Sequence, residues 1–205
     1  LDRDLRNKLE IYCKERQLTP YTVTFAAFQI LLARYSKQTD IPIGTLINNR
    51  RLKEFDALLG MFVNTIVIRG DWSGNPSFNE GIQRFSVVLE EAIANQDAPF
   101  ELLVEELHPE RSLSHQPIFQ IMFAMHNARV TFPDLPDVQI QALETDRTHS
   151  KFDLNLILTP IDDHYDAVIE FNRDLFEKDS ISQLVAGYKS FLSAAIDTPE
   201  SRIFD

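Results

Sequence analysis

Apolar positions along this chain recur with two different periods, and the changeovers fall at turn-forming residues. Residues 1–17 are charged and helical in pattern. Thr19 followed by Pro20 reads as an N-cap and first-turn proline opening a second helix through about Ser36. Val23, Phe25, Ala26, Ala27, Phe28, Ile30, Leu31, Leu32 and Tyr35 cover that helix almost all round, which predicts its burial. After Thr39 and Asp40 the run IPIGTLIN, residues 41–48, is short, apolar and bounded by turn residues, as a strand is; Arg50, Arg51 and Lys53 follow it as a basic cluster. The β-branched stretch 62–72 predicts a second strand ending at Gly70, with a turn over 70–76. Phe78, Ile82, Phe85, Val88, Leu89, Ala92 and Ile93 then follow helical spacing over 77–94. The spacing resumes over 100–107, after the interruption NQDAP.

The second half reads as mostly strand. A loop over 109–117 opens onto a strand over 118–126; residues 138–143 and 152–158 alternate as half-buried strands. Asp162 and Asp163 supply a hairpin turn into 167–171, and a helix over 180–195 closes the chain with Ile181, Leu184, Val185, Tyr188, Phe191 and Leu192 on one face. Helices and strands alternate early and strands cluster late. The expected fold class is therefore a mixed α/β or α+β sandwich with one main sheet packed by helices.

Composition narrows the functional classes. With 205 residues, 44% hydrophobic and 25% charged, the chain can bury a sizeable core as one large domain or two small ones, and 15 Phe make that core aromatic. The balance of 20 Lys+Arg against 31 Asp+Glu, net −11, argues against nucleic acid and against an acidic membrane surface. A single cysteine, Cys13, excludes an internal disulfide and fits a reducing, cytoplasmic setting; it has no activating partner nearby in sequence. The longest apolar stretch, near residues 25–33, contains Gln29 and is too short to span a bilayer. A start at Leu1-Asp2-Arg3, without Met, suggests a fragment.

Local chemistry offers no convincing catalytic centre. His149 precedes Asp153 by four residues, but in an extended strand that spacing separates them by about 13 Å, too far for a direct hydrogen bond, and a polar strand edge is the better reading. Gly70-Asp71-Trp72-Ser73-Gly74 has its serine misplaced for a nucleophile elbow and reads as a turn. His108, His115, His126 and His164 lack paired ligand spacing, so no metal site is expected, and no glycine-rich phosphate loop occurs.

Three ordered stretches carry a resemblance instead. Gly60-Met61-Phe62-Val63-Asn64-Thr65, with Arg69 four residues on, matches Gly-x-Phe-Val-Asn-Thr-x-x-x-Arg throughout. Asn95-Gln96-Asp97-Ala98-Pro99-Phe100-Glu101 resembles His/Asn-Gln-Asp-x-Pro-Phe-Glu. Residues 111–123, including Arg111, Ser114, Pro117, Phe119 and Gln120, resemble Arg-Asp-x-Ser-Arg-Asn-Pro-Leu-Phe-Gln-Val-Met-Phe, with departures at Ser112, His115 and Gln116. Together, and with Lys151-Phe152-Asp153-Leu154, they resemble the later motifs of the condensation domain of nonribosomal peptide synthetases over nearly the whole chain.

That resemblance implies a chloramphenicol-acetyltransferase-like lobe. In the family two such lobes form a V, and phosphopantetheine arms of a donor and an acceptor carrier protein enter a tunnel between them to make an amide. The family's His-His-x-x-x-Asp-Gly motif is missing here, which implies the C-terminal lobe alone, residues 1–205, with no catalytic residue of its own and no directly bound cofactor or metal. Its implied partners are the N-terminal lobe, the two carrier proteins and an adjacent adenylation domain, and a homodimer of the isolated lobe through its uncovered apolar surface.

Asn64, with Thr65 and Phe62, is then expected to support the tunnel. The Asn64 amide would either donate to a substrate carbonyl or sit as a satisfied core amide fixing a neighbouring strand. Gly60, Gln96, Pro99, Ser114, Pro117 and Gln120 form the motif framework; Arg69 and Arg111 are expected to pair with Asp97 or Glu101; and Phe62, Phe100, Phe119 and Phe123 are read as core. Pro99 at a first turn, Asp97 and Glu101 at the positive helix end and Phe100 as anchor make the NQDAPFE interruption a helix stop and restart. Two other readings remain open: a docking module without chemistry, and a lobe of a related epimerisation or cyclisation domain.

Overall fold

Side-chain caps mark where the first three α-helices begin. In a computed structural model, which describes residues 1–50, 52–55, 57–109, 116–126, 138, 140 and 150–205, Asp2 caps helix α1 (Arg3–Arg16) and Thr19 caps α2 (Pro20–Ser36) through its hydroxyl. Strand β1 (Asp40–Asn48) pairs antiparallel with β2 (Val63–Asp71). Ser77 and Glu80 close a reciprocal capping box at the start of α3 (Phe78–Ala94), which satisfies two orphan backbone donors at once. Helix α4 (Phe100–Leu107) follows the interruption, then β3 (Ile121–Met125), β4 (Leu154–Ile161), β5 (His164–Phe171) and α5 (Lys178–Asp197).

The strands form one mixed sheet of five, in the order β2-β1-β3-β4-β5. Its outer pairs are antiparallel and its inner pairs, β1 with β3 and β3 with β4, parallel. Strand β3 therefore inserts between elements far apart in the chain, and only a crossover through α3 and α4 can deliver it there.

Register assigns the faces. Thr45 of β1 meets the Tyr21 hydroxyl of α2 at 2.7 Å, so Ile41, Ile43, Thr45 and Ile47, with their partners Gly70, Ile68, Ile66 and Asn64, face the helices. On that side Phe25 stacks on Phe123 with ring centroids 4.5 Å apart, and Trp72 stacks on Phe85 at 5.9 Å. Helix α5 joins through Tyr188, whose buried hydroxyl donates to the Thr24 carbonyl at 3.0 Å. The nearly all-apolar α2 is the centre of this core, as its composition predicts, with every residue from Thr22 to Ala33 buried.

Several boundaries move. The expected strand over 118–126 begins only at Ile121, because Ile118 takes φ 71 and the Phe119 N–H donates to the Pro117 carbonyl at 2.8 Å, a tight reversal that no strand can contain. The expected strand at 152 begins at Leu154, after bends over 151–153, and the closing helix starts earlier, at Lys178. Of the alternating stretch 138–143 only Val138 and Ile140 are among the described residues. No helix among the described residues is long and apolar enough to cross a membrane.

Candidate functional site

The interruption between α3 and α4 is held from the side by an amide. Asn95 ends α3 by donating from Nδ2 to the Glu91 carbonyl at 2.8 Å, and the Ala98 N–H returns to the Asn95 carbonyl at 3.2 Å. Into this turn projects Asn64 of β2, whose Nδ2 donates to the carbonyls of Gln96 at 2.7 Å and Ala98 at 2.8 Å. Its Oδ1 accepts from the Thr65 N–H at 2.9 Å, which fixes the rotamer. Both hydrogens of the amide are engaged. Donation to a substrate carbonyl would require the turn to let go, and the segment that the amide holds is this interhelical turn, in place of the expected neighbouring strand.

Beyond the turn, Pro99 is the N-cap of α4 rather than a first-turn residue, with φ −60 and ψ 140, and it supplies no side-chain cap. Its carbonyl accepts from Leu102 at 3.0 Å. Phe100 meets Phe119 edge to face at 5.5 Å, and Phe119 stacks on Phe152 at 5.7 Å. Gln120 donates from Nε2 to the Gln116 carbonyl at 3.1 Å, and its own carbonyl receives the Asp153 N–H at 2.9 Å. Described residues from the three motifs thus converge at two contacts, Asn64 on the 96–98 turn and Phe100 on Phe119. Phe119 and Phe123 are buried core, as expected; Phe62 and Phe100 are only half-buried.

Arg69 is elsewhere. It pairs with Asp40 across the β1–β2 ladder, its Nε 2.8 Å from Oδ1, and not with Asp97 or Glu101. The pair is solvent-exposed, with 73% of the Arg69 side chain accessible, so truncating one partner strands no buried charge. Strand geometry keeps them apart: Arg69 stands five residues along β2 from Asn64, about 16 Å at the rise of a strand, and points to the opposite face. The Arg69 guanidinium holds the Asp40 carboxyl below its ordinary range. Arg111, Ser114 and His149 lie outside the described residues.

Gly60 and the residues before it belong to the β1–β2 connection. Arg50 organises that connection: its guanidinium donates to the carbonyls of Phe55 and Leu58 and lies 4.0 Å from the centre of the Phe62 ring. Leu58, Leu59 and Met61 point outward, Met61 at 92% exposure. The basic cluster in the sequence signalled charge there but not this inward, structural use of Arg50.

No cluster of three or more metal-ligating side chains occurs among the described residues. His126 Nδ1 lies 3.0 Å from the Thr159 hydroxyl, and His164 sits against Asp163 and Asp166. Burial pushes the Cys13 thiol up to about 12, which makes it inert. A groove of about 460 Å³ runs between α2 and α5, lined by Leu31, Arg34, Tyr35, Ser190 and Phe191, and none of the motif residues borders it.

A five-stranded mixed sheet packed by helices, with motif residues gathered around one crossover, has the chloramphenicol-acetyltransferase-like fold shared by condensation domains. The family model described as "Condensation domain" matches residues 1–205, and the chain belongs to that family. A linear gramicidin synthase polypeptide of Brevibacillus parabrevis is 37% identical over 202 residues, covering 98% of this chain and 4% of that protein. Chondramide synthase of Chondromyces crocatus is 37% identical over 205 residues, covering 100% of this chain and 5% of its own length. Among solved structures, the X-domain from teicoplanin biosynthesis superposes with a TM-score of 0.89 at 27% identity, over 100% of this chain and 47% of its own. The first condensation domain of the calcium-dependent antibiotic synthetase shares the fold, with a TM-score of 0.78 at 16% identity over 100% of this chain and 44% of that one. The chain therefore spans a small fraction of the curated relatives and about half of each such domain.

Proposed function

We propose that this chain is the C-terminal lobe of a nonribosomal peptide synthetase condensation domain. The whole domain joins a carrier-bound acyl or peptidyl thioester to the amine of a carrier-bound aminoacyl thioester. The observation that carries the reading is the match of the family model along all 205 residues, with the motif residues converging on the α3–α4 crossover. The chemistry is mainly positional: two tethered substrates held end to end recover much of the barrier as prepaid entropy. The family's base belongs to the partner lobe, and this lobe supplies a wall of the tunnel, with Asn64, Thr65 and Phe62 as its supports.

The outward Leu58, Leu59 and Met61 on the Arg50-ordered connection suit contact with a second lobe, since contiguous exposed apolar side chains mark interfaces. The same surface is the basis for expecting self-association of the isolated lobe. Donor and acceptor carriers bring the phosphopantetheine arms, and an adenylation domain in the same polypeptide loads the acceptor.

The test is amide formation with both carriers loaded. The parent domain is expected to form the amide, while the 205-residue chain by itself forms none above background; transfer by the chain alone would overturn the lobe assignment. A second reading, a docking module without chemistry, is favoured by one observation: a complex of the X-domain with OxyB from teicoplanin biosynthesis, in which the X-domain matches this chain with a TM-score of 0.85 at 27% identity. A parent domain that forms no amide yet retains a partner enzyme would decide for it.

A further inference from the structure

We infer that Asn64 is a positioning residue, which acts by holding the α3–α4 turn against the end of β2 and so fixing where α4 and Phe100 stand. The inference rests on the proposed condensation function for its kinetic consequence and on geometry alone for the clamp. Helix α4 has eight residues, buries none of them and lacks a side-chain cap, so neither its length nor its own packing holds it in place. Among the described residues, two named contacts fasten it. One is the Asn64 amide on the carbonyls of Gln96 and Ala98; the other is Phe100 against Phe119.

The two fastenings lie on opposite sides of the sheet. Asn64 pairs with Ile47 on the helix side, whereas Phe119 lies against Gly44, whose neighbour Thr45 faces the helices. Between this turn and the entry to β3 the chain therefore passes from the side covered by α3 to the side that carries Phe119. The clamp thus acts directly on the crossover it controls.

The residue type is demanding. Two convergent carbonyls need two N–H donors on one short side chain, with an acceptor left to lock the rotamer on Thr65. Aspartate has the same shape and no donor. A carboxylate there would face two carbonyl oxygens, and the turn would be pushed off β2.

The experiment uses the full synthetase polypeptide, wild type and with Asn64→Asp or Asn64→Ala, its carriers loaded with their own substrates. Backbone hydrogen exchange and single-turnover amide formation are read together, with carrier loading as a control for the rest of the chain. Asn64→Asp is expected to speed exchange over 95–107 by about tenfold while the amides of α2 keep their protection. Amide formation at saturating acceptor is expected to fall on the order of 10²-fold with the half-saturating acceptor concentration unchanged. Asn64→Ala falls between wild type and Asn64→Asp in both readouts.

Wild-type exchange over 95–107 in the aspartate variant would overturn the clamp. Faster exchange there with an unchanged amide-forming rate would overturn the positioning role, and so would equal loss of protection in α2, which marks general unfolding. If the wild-type polypeptide itself forms no amide, the proposed function has failed, and with it the positioning role, while the exchange data still judge the clamp.

Discussion

The ring of Phe119 occupies the space in which a side chain on Gly44 would stand: a Cβ on Gly44 would lie 2.2 Å from Phe119 Cε2. Phe119 is buried with Phe100 and Phe152 against it, so it cannot shift without displacing those rings. Gly44→Ala is therefore expected to destabilise by about 1–3 kcal/mol through overpacking. Combining it with Phe119→Leu should cost less than the sum of the two single changes, because the smaller side chain vacates the contested space. Denaturant midpoints of the single and double variants check this; strict additivity would show that the two residues do not compete.

Alkaline pH should loosen the core through its buried thiol and phenols. Burial raises Cys13 from an ordinary 9.0 to about 12 and Tyr21 from 10.0 to about 12, and it raises Tyr188 also. A proton held more tightly in the folded state stabilises fully below the unfolded value and is lost as pH rises through the folded one. Stability is thus expected to decline from about pH 9 upward, and Cys13→Ala should remove the earliest part of the decline. Iodoacetamide labelling of Cys13 that tracks unfolding supports this; rapid labelling of the folded chain at about pH 8, below the ordinary thiol range, would contradict it.

Gln29 is buried on α2 and donates from Nε2 to the carbonyls of Ile41 and Ile68, pinning adjacent strands, while its Oε1 has no hydrogen-bond partner among the described residues. Replacement by glutamate puts a buried carboxylate against two carbonyls. Gln29→Glu is expected to cost at least about 3 kcal/mol at neutral pH and to recover part of that loss as pH falls and the carboxyl protonates. A pH-independent defect would mean that lost donors, and not charge, dominate.

Arg69→Ala should leave thermal stability within measurement error, despite the place of Arg69 in the first motif. Its contact with Asp40 is exposed and screened by solvent. A marked drop in the unfolding midpoint would show that the pair carries structural weight beyond its visible geometry. Asp40, held below its ordinary range, favours folding only above the usual carboxylate range, and that small contribution disappears as pH falls through its folded value.

Period and capping make most elements legible. Thr19-Pro20 and Ser77 with Glu80 are local devices whose hydrogen bonds close within one turn, and both open helices where the chain says they do. The all-round apolar α2 likewise can stand only in the core. The start of β3 is not legible, since nothing in Pro117-Ile118-Phe119 announces a positive φ at a β-branched residue; packing of Phe119 on Gly44 accompanies it. The partner of Arg69 is hidden for a different reason: the order of motifs along a chain says nothing about which face of a strand each residue occupies.

The amino-acid order alone determined the helices, most strands, the apolar core and the family, because these depend on short-range periodicity, on capping within a few residues and on ordered motifs. Only the tertiary structure decided that β3 sits between β1 and β4, that Arg50 turns inward to organise the β1–β2 connection, and that Asn64 spends its amide on the 96–98 turn. Those outcomes depend on which distant backbone carbonyls and ring faces arrive beside a given side chain, and that is fixed by strand register and crossover geometry.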